Sequence, residues 1–74
     1  MVKVLSMRVE SIEGKRRNVV ANLIADTTSE VDACGASGEG VVGLTADDTM
    51  VLGSLAICVD GQVGWLNSSG QWTW

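Results

Sequence analysis

Apolar and polar residues alternate from the start of this chain. Leu5, Met7 and Val9 share one side of an extended segment, with Ser6, Arg8 and Glu10 on the other, the period-2 pattern of a strand buried on one face. Glu13-Gly-Lys-Arg-Arg17 is a polar turn. Asn18 to Thr27 follows as a second strand, with Val19, Leu23 and Ile24 as its larger apolar members. The two are expected to pair as a hairpin with the basic turn at its tip. A helix over residues 18–26 is the rival reading; the β-branched residues, the two asparagines and the absence of a strong cap count against it.

From Thr28 to Gly43 the pattern lapses. Glu30 to Gly40 holds three glycines and few large side chains, so it reads as a loop or an irregular edge. Val41 to Leu44 is at most a short strand. Thr45-Ala-Asp-Asp-Thr49 fits the start of one helical turn, with Thr45 as cap and Asp48 three residues on, or a polar turn, and the turn is preferred. Alternation resumes after Gly53: Leu55, Ile57 and Val59 point one way, Ala56 and Cys58 the other. Asp60-Gly61 matches a type I′ hairpin turn, which places both central residues at positive φ. Gln62 to Leu66 is the return strand, Asn67-Ser-Ser-Gly70 a second turn, and Gln71 to Trp74 a closing strand. The expected fold is all-β, a single domain over residues 1–74, built as a small antiparallel sandwich or open barrel of five to six short strands.

Composition changes this picture in one respect. A chain of 74 residues buries only about 60% of its unfolded surface, and domains this small are commonly stapled by disulfides, metals or partners. Two cysteines, no histidine and no Phe or Tyr leave self-association as the remaining route. Trp72 and Trp74 fall on one strand face by parity. Each can bury on the order of 200 Å², worth several kcal/mol at about 25 cal/mol per Å². Loss of the last three residues is therefore expected to unfold or dissociate the protein.

The charge is polarised. All five basic residues (Lys3, Arg8, Lys15, Arg16 and Arg17) lie in the first 17, which carry +3 with Glu10 and Glu13 counted, while the remainder carries −7. Such a chain can set a basic edge of one copy against an acidic face of the next, or pair its charges internally. The opening residues lack the basic-then-apolar signal-peptide pattern, and no apolar run approaches the roughly 20 residues of a membrane helix. Synthesis in the cytosol, with Cys34 and Cys58 as free thiols, is the expectation.

No catalytic set stands out. Gly38-Glu-Gly-Val-Val-Gly43 matches a dinucleotide-binding pattern literally, but a glycine loop precedes it and acidic residues follow, so a loop is the better account. Asp47, Asp48 and Asp60 lack the spacing of a hard-cation loop and read as turn carboxylates. Cys34 and Cys58 lack the further ligands of a zinc site and the base of a cysteine nucleophile. Arg8 with Lys15, Arg16 and Arg17 is too narrow a patch, in too acidic a chain, for nucleic acid. No enzyme activity, cofactor, metal, nucleic acid or membrane is expected.

Leu52-Gly53-Ser54, Ala56, Val63, Leu66 and Asn67-Ser-Ser-Gly-Gln-Trp72 together form a pattern that resembles the ends of short proteins encoded in the structural gene clusters of tailed bacteriophages and prophages, and of head-fibre modules. Lys3 to Val9 and Ala21 to Thr27 extend the likeness. The resemblance implies a non-enzymatic virion component that binds itself and the major capsid or a neighbouring virion protein, made in the host cytoplasm. The chain lacks the long repetitive part of a head fibre, which favours a capsid-decoration or accessory protein. The alternative is a soluble binding or regulatory module, such as a phage-encoded inhibitor of a host protein. The expected interaction residues are Arg8, Lys15, Arg16, Arg17, Trp65, Trp72 and Trp74, as aromatic and arginine side chains anchor interfaces. Core packing is the competing role for each tryptophan, and the stronger one for Trp65 inside its strand.

Overall fold

A long hairpin sets the frame. In the computed structural model, which describes residues 1–74, β1 (Val2–Glu13) and β2 (Arg16–Ala25) run antiparallel over their whole length around the Gly14 turn. Twelve residues at about 3.3 Å each account for the long axis of the molecule, 37 Å against 22 and 19 Å. The expected hairpin is present, and the rival helix over residues 18–26 is not. Two β-bulges interrupt β1, between Val4 and Ser6 and between Val9 and Ser11. Each adds a residue and resets the alternation. Leu5 therefore leaves the face of Met7 and lies beside Ser6, which corrects the simple parity expected of that strand.

After β2 the chain forms a helix, α1 (Thr28–Cys34), where a loop was expected. Thr27 caps it by accepting a hydrogen bond from the Glu30 amide at 3.3 Å, while the Glu30 carboxylate accepts from the Asp26 amide at 3.3 Å. Thr27-Thr-Ser-Glu30 is a capping-box spacing, so the start of the helix was marked in the sequence. Gly35 ends it with φ 57°, its amide bonding back to Val31 and Asp32. Short β3 (Val41–Val42) and β4 (Asp48–Met50) then pair in parallel with β1 and β2 respectively. Thr45 to Asp47 is a turn, as preferred.

β5 (Leu55–Cys58) also runs parallel to β2, taking over where β4 stops, and β6 (Val63–Leu66) and β7 (Trp72–Thr73) add antiparallel strands. Ser54 fills the switch between the two partners of β2: it is fully buried and its hydroxyl accepts from the Ala21 amide at 3.1 Å. The result is all-β apart from α1, a single open mixed sheet of seven strands in the order β3-β1-β2-β5-β6-β7, with β4 against β2. It is not closed into a barrel. The β5–β6 connection is no type I′ turn either, since no residue other than glycine has positive φ. Asp60 keeps negative φ and its carboxylate accepts from the Gln62 amide at 3.1 Å, while Gly61 takes φ 97°.

The core lies on one face. Val19, Ala21, Leu23 and Ala25 of β2 point into it with Ala56, Cys58 and Leu66, and Val31, Val41, Met50 and Trp72 cover them. Gly64 sits there because a Cβ would meet the Trp74 indole and the Thr73 carbonyl. Ala56, Cys58 and Gly64, three of the four inward positions of β5 and β6, are thus small, leaving room for α1 and the two C-terminal tryptophans.

Candidate functional site: the uncovered apolar face of the sheet

The opposite face carries the larger side chains. Reading across the strands, one row is Ser6, Asn22, Leu55, Trp65 and Thr73, and the next is Lys3, Ile24, Ile57 and Val63. Leu5 joins the first row through its bulge. Leu5, Leu55, Ile57, Val63 and Trp65 each keep between 44% and 56% of their surface exposed, and Val59 beyond them keeps 70%. Together they present on the order of 600 Å² of apolar surface, at the top of the range of about 300–600 Å² for the largest patch on an ordinary monomer. Half-solvated antiparallel sheets usually place polar residues outward. Here the outward positions of β5 and β6 are all apolar.

A concavity of about 240 Å³ lies within this face, lined by Leu5, Ser6, Asn22, Leu23, Leu55, Ile57 and Val63. Its two polar side chains satisfy each other, Asn22 Nδ2 donating to Ser6 Oγ at 2.9 Å. No charged residue lines it. Small-ligand pockets run to about 300–1,000 Å³ and carry a few convergent polar groups, so this hollow suits an apolar side chain better than a metabolite.

The residues expected to mediate interaction divide sharply. Trp65 lies on the open face, against the core role favoured for it. Trp72 is 9% exposed, donates from Nε1 to the Gly35 carbonyl at 2.8 Å, and stacks on Trp74 with ring centroids 6.1 Å apart. Trp74 is half-buried and donates to Asp32 Oδ1 at 3.0 Å. Those two tryptophans pin α1 to the end of the sheet and so belong to the core side. Among the basic residues, Arg17 is an internal partner. Its Nε and second guanidinium nitrogen donate to Asp48 Oδ1 and Oδ2 at 2.7 and 3.0 Å, and Asp48 is fully buried. Asp48 also accepts from the Thr45 amide at 2.9 Å. Arg17 holds this carboxyl below its ordinary pKa, against the opposing effect of burial.

Asp48 is therefore no turn carboxylate at the surface. Gly38 packs against it closely enough that a Cβ would lie 3.0 Å from its own, and its amide donates to the Asp48 carbonyl at 2.8 Å. The first glycine of the nucleotide-like motif thus serves packing beside the buried Asp48 carboxylate. Arg16 makes a 3.3 Å bond to the Thr49 hydroxyl, Arg8 pairs with Glu10 at 3.3 Å, and Lys15 is exposed in the hairpin turn. Three of the four cations thus stay at the surface of the hairpin arm, and the structure does not gather them with Trp65 into one site. Cys34 and Cys58 are free, and burial pushes both thiols up in pKa, which keeps them protonated and poorly nucleophilic.

The outward positions Leu5, Leu55, Ile57 and Val63 were not expected to form a surface. The signal for the last three was present in β5 and β6, where the set Leu55, Ile57, Val63 and Trp65 is bulkier than the set Ala56, Cys58, Gly64 and Leu66. Comparison with protein-family models, with characterised proteins and with solved structures finds no match to this chain.

Proposed function

We propose that the protein is a non-enzymatic structural component of a bacteriophage virion, a capsid-decoration or head-associated accessory protein working through protein–protein contact. The observation that carries the contact role is the apolar sheet face around Trp65, free of charge at every outward position of β5 and β6, an area that approaches the roughly 800 Å² each partner contributes to a standard interface. The chemistry-bearing groups are otherwise engaged: Asp48 is held by Arg17, and the thiols are kept neutral. The virion assignment rests on the resemblance of the Leu52–Trp72 pattern to short phage structural proteins.

Quantitative mass spectrometry of gradient-purified particles tests this reading. The chain is expected in the particle in many copies relative to the major capsid protein. Absence from the particle with abundance in the infected cell overturns it and leaves a soluble binding or regulatory module.

A further inference from the structure

We infer that the occupant of the open sheet face is a second copy of this chain, docked so that each Trp65 enters the partner's concavity between Leu5 and Val63. The inference deepens the contact role proposed above by naming the partner of that face. Three observations carry it. The face holds a knob and a hole side by side: Trp65 projects from β6, and the 240 Å³ hollow begins at Leu55, its cross-strand neighbour. A surface with both parts is self-complementary under a two-fold axis, in which residue i meets j and j meets i. A cavity of about 150 Å³ accepts a benzene ring, so 240 Å³ has room for an indole.

Charge agrees with this occupant. Each copy carries −4, and two such chains repel through most of their surfaces. The outward positions of β5 and β6 carry no charge. Lys3, the one charged residue in their rows, stands at the far end on β1, two strands from Ile57. The centre of the contact therefore escapes both repulsion and the desolvation cost of burying an ion. Area agrees as well. On the order of 600 Å² of apolar surface per copy, with Lys3 and Thr73 at the rim, approaches the share of a standard interface. The covering of a one-sided sheet by its own two-fold mate makes a sandwich, and that supplies the second layer the single chain lacks.

The alternative contact through the long free edge of β1 is guarded. Beyond Val2 and Lys3 the outer edge of β1 has no strand beside it, but its two bulges and the charges at Arg8, Glu10 and Glu13 are the devices that discourage edge pairing. The open face has no such guard.

Sedimentation equilibrium of the full chain at micromolar concentration tests the inference. The expected mass is about twice 7.8 kDa, retained in high salt because no ion pair holds the contact. Trp65→Ser removes the knob and Leu5→Trp fills the hole from within its own chain. Each is expected to weaken the dimer by at least about 30-fold, as loss of an interface anchor does, with the near-ultraviolet signal of stacked Trp72 and Trp74 preserved as evidence of folding. Mixing the two variants restores one knob and one hole, and a heterodimer of intermediate strength is expected. A monomeric wild type, an assembly larger than a dimer, dissociation by salt, folded variants that dimerise unchanged, or failure of the mixture to associate each overturns it. Particle composition is read separately, so the failure of this contact and of the virion assignment are distinguishable.

Discussion

The two faces of β5 and β6 carry opposite kinds of residue for their surroundings. The inward set is Ala56, Cys58, Gly64 and Leu66; the outward set is Leu55, Ile57, Val63 and Trp65. By hydrophobicity alone the second set belongs inside. It is outside because the first face is already filled by α1 and by the stacked pair Trp72 and Trp74, whose bulk demands small residues beneath. Burial in a close-packed interior follows fit as well as hydrophobicity. What remains on the other face is surplus apolar surface, and that surplus is the best indication of what the molecule does.

The contrast can be broken most forcefully from the inner side. Removing Trp72 to Trp74 takes away the cover over Gly64 and Ala56, and the chain is expected to lose its cooperative urea transition altogether. Leu66→Ala, a fully buried position, is expected to cost about 2–5 kcal/mol. Leu55→Ala on the outer face is expected to cost less than about 1 kcal/mol when both are measured in the Trp65→Ser background, where dimerisation does not contribute and the hollow stays open. Equal costs would erase the distinction between the faces.

Asp48→Ala comes next in size. It leaves the Thr45 amide and the part-exposed Arg17 guanidinium without their acceptor, a loss of about 1–3 kcal/mol. The pH dependence has a definite sign. The folded-state pKa of Asp48 is lowered, so its contribution is complete above the unfolded value of about 3.9 and is lost as pH falls through the lower folded value. Urea titrations from pH 6 to pH 2 should therefore show a loss on acidification below about pH 4 that is reduced in Asp48→Asn. An unchanged acid limb would mean that the carboxyl is not held by Arg17.

The arm offers a smaller test. Arg17→Glu should destabilise by opposing Asp48, whereas Arg16→Glu, at an exposed position with one 3.3 Å bond to Thr49, should stay within about 0.5 kcal/mol. The smallest effect is spectroscopic. In the Leu5→Trp, Trp65→Phe double variant, acrylamide quenching should fall relative to Leu5→Trp alone, because the indole added at position 5 is common to both and Trp72 and Trp74 sit against α1. Quenching dominated by those two would place them, and not Trp65, at the surface.

Much of the local structure was legible in the residues. Gly14 and Asn67-Ser-Ser-Gly70 mark turns through conformations and side-chain bonds that need no distant partner; Asn67 Oδ1, for instance, accepts from the amides of Ser69 and Gln71 at 2.9 and 3.0 Å. The split of Leu55 and Ile57 from Ala56 and Cys58 follows from the pleat alone. Even α1 was marked, by Thr27 and Glu30, although the glycines that follow hid it.

Other features depended on distant partners. The bulge at Leu5 arises from pairing with β2, and the Arg17–Asp48 pair joins residues 31 apart. Above all, the alternation of β5 and β6 fixes that there are two faces without saying which is covered, because both are apolar. That choice was made by the indoles of Trp72 and Trp74, which fit over Gly64 and Ala56 and could not fit over Leu55 and Trp65. Period and turn chemistry are local and so belong to the sequence; inside and outside depend on volumes brought together from across the chain, and only the tertiary structure decides them.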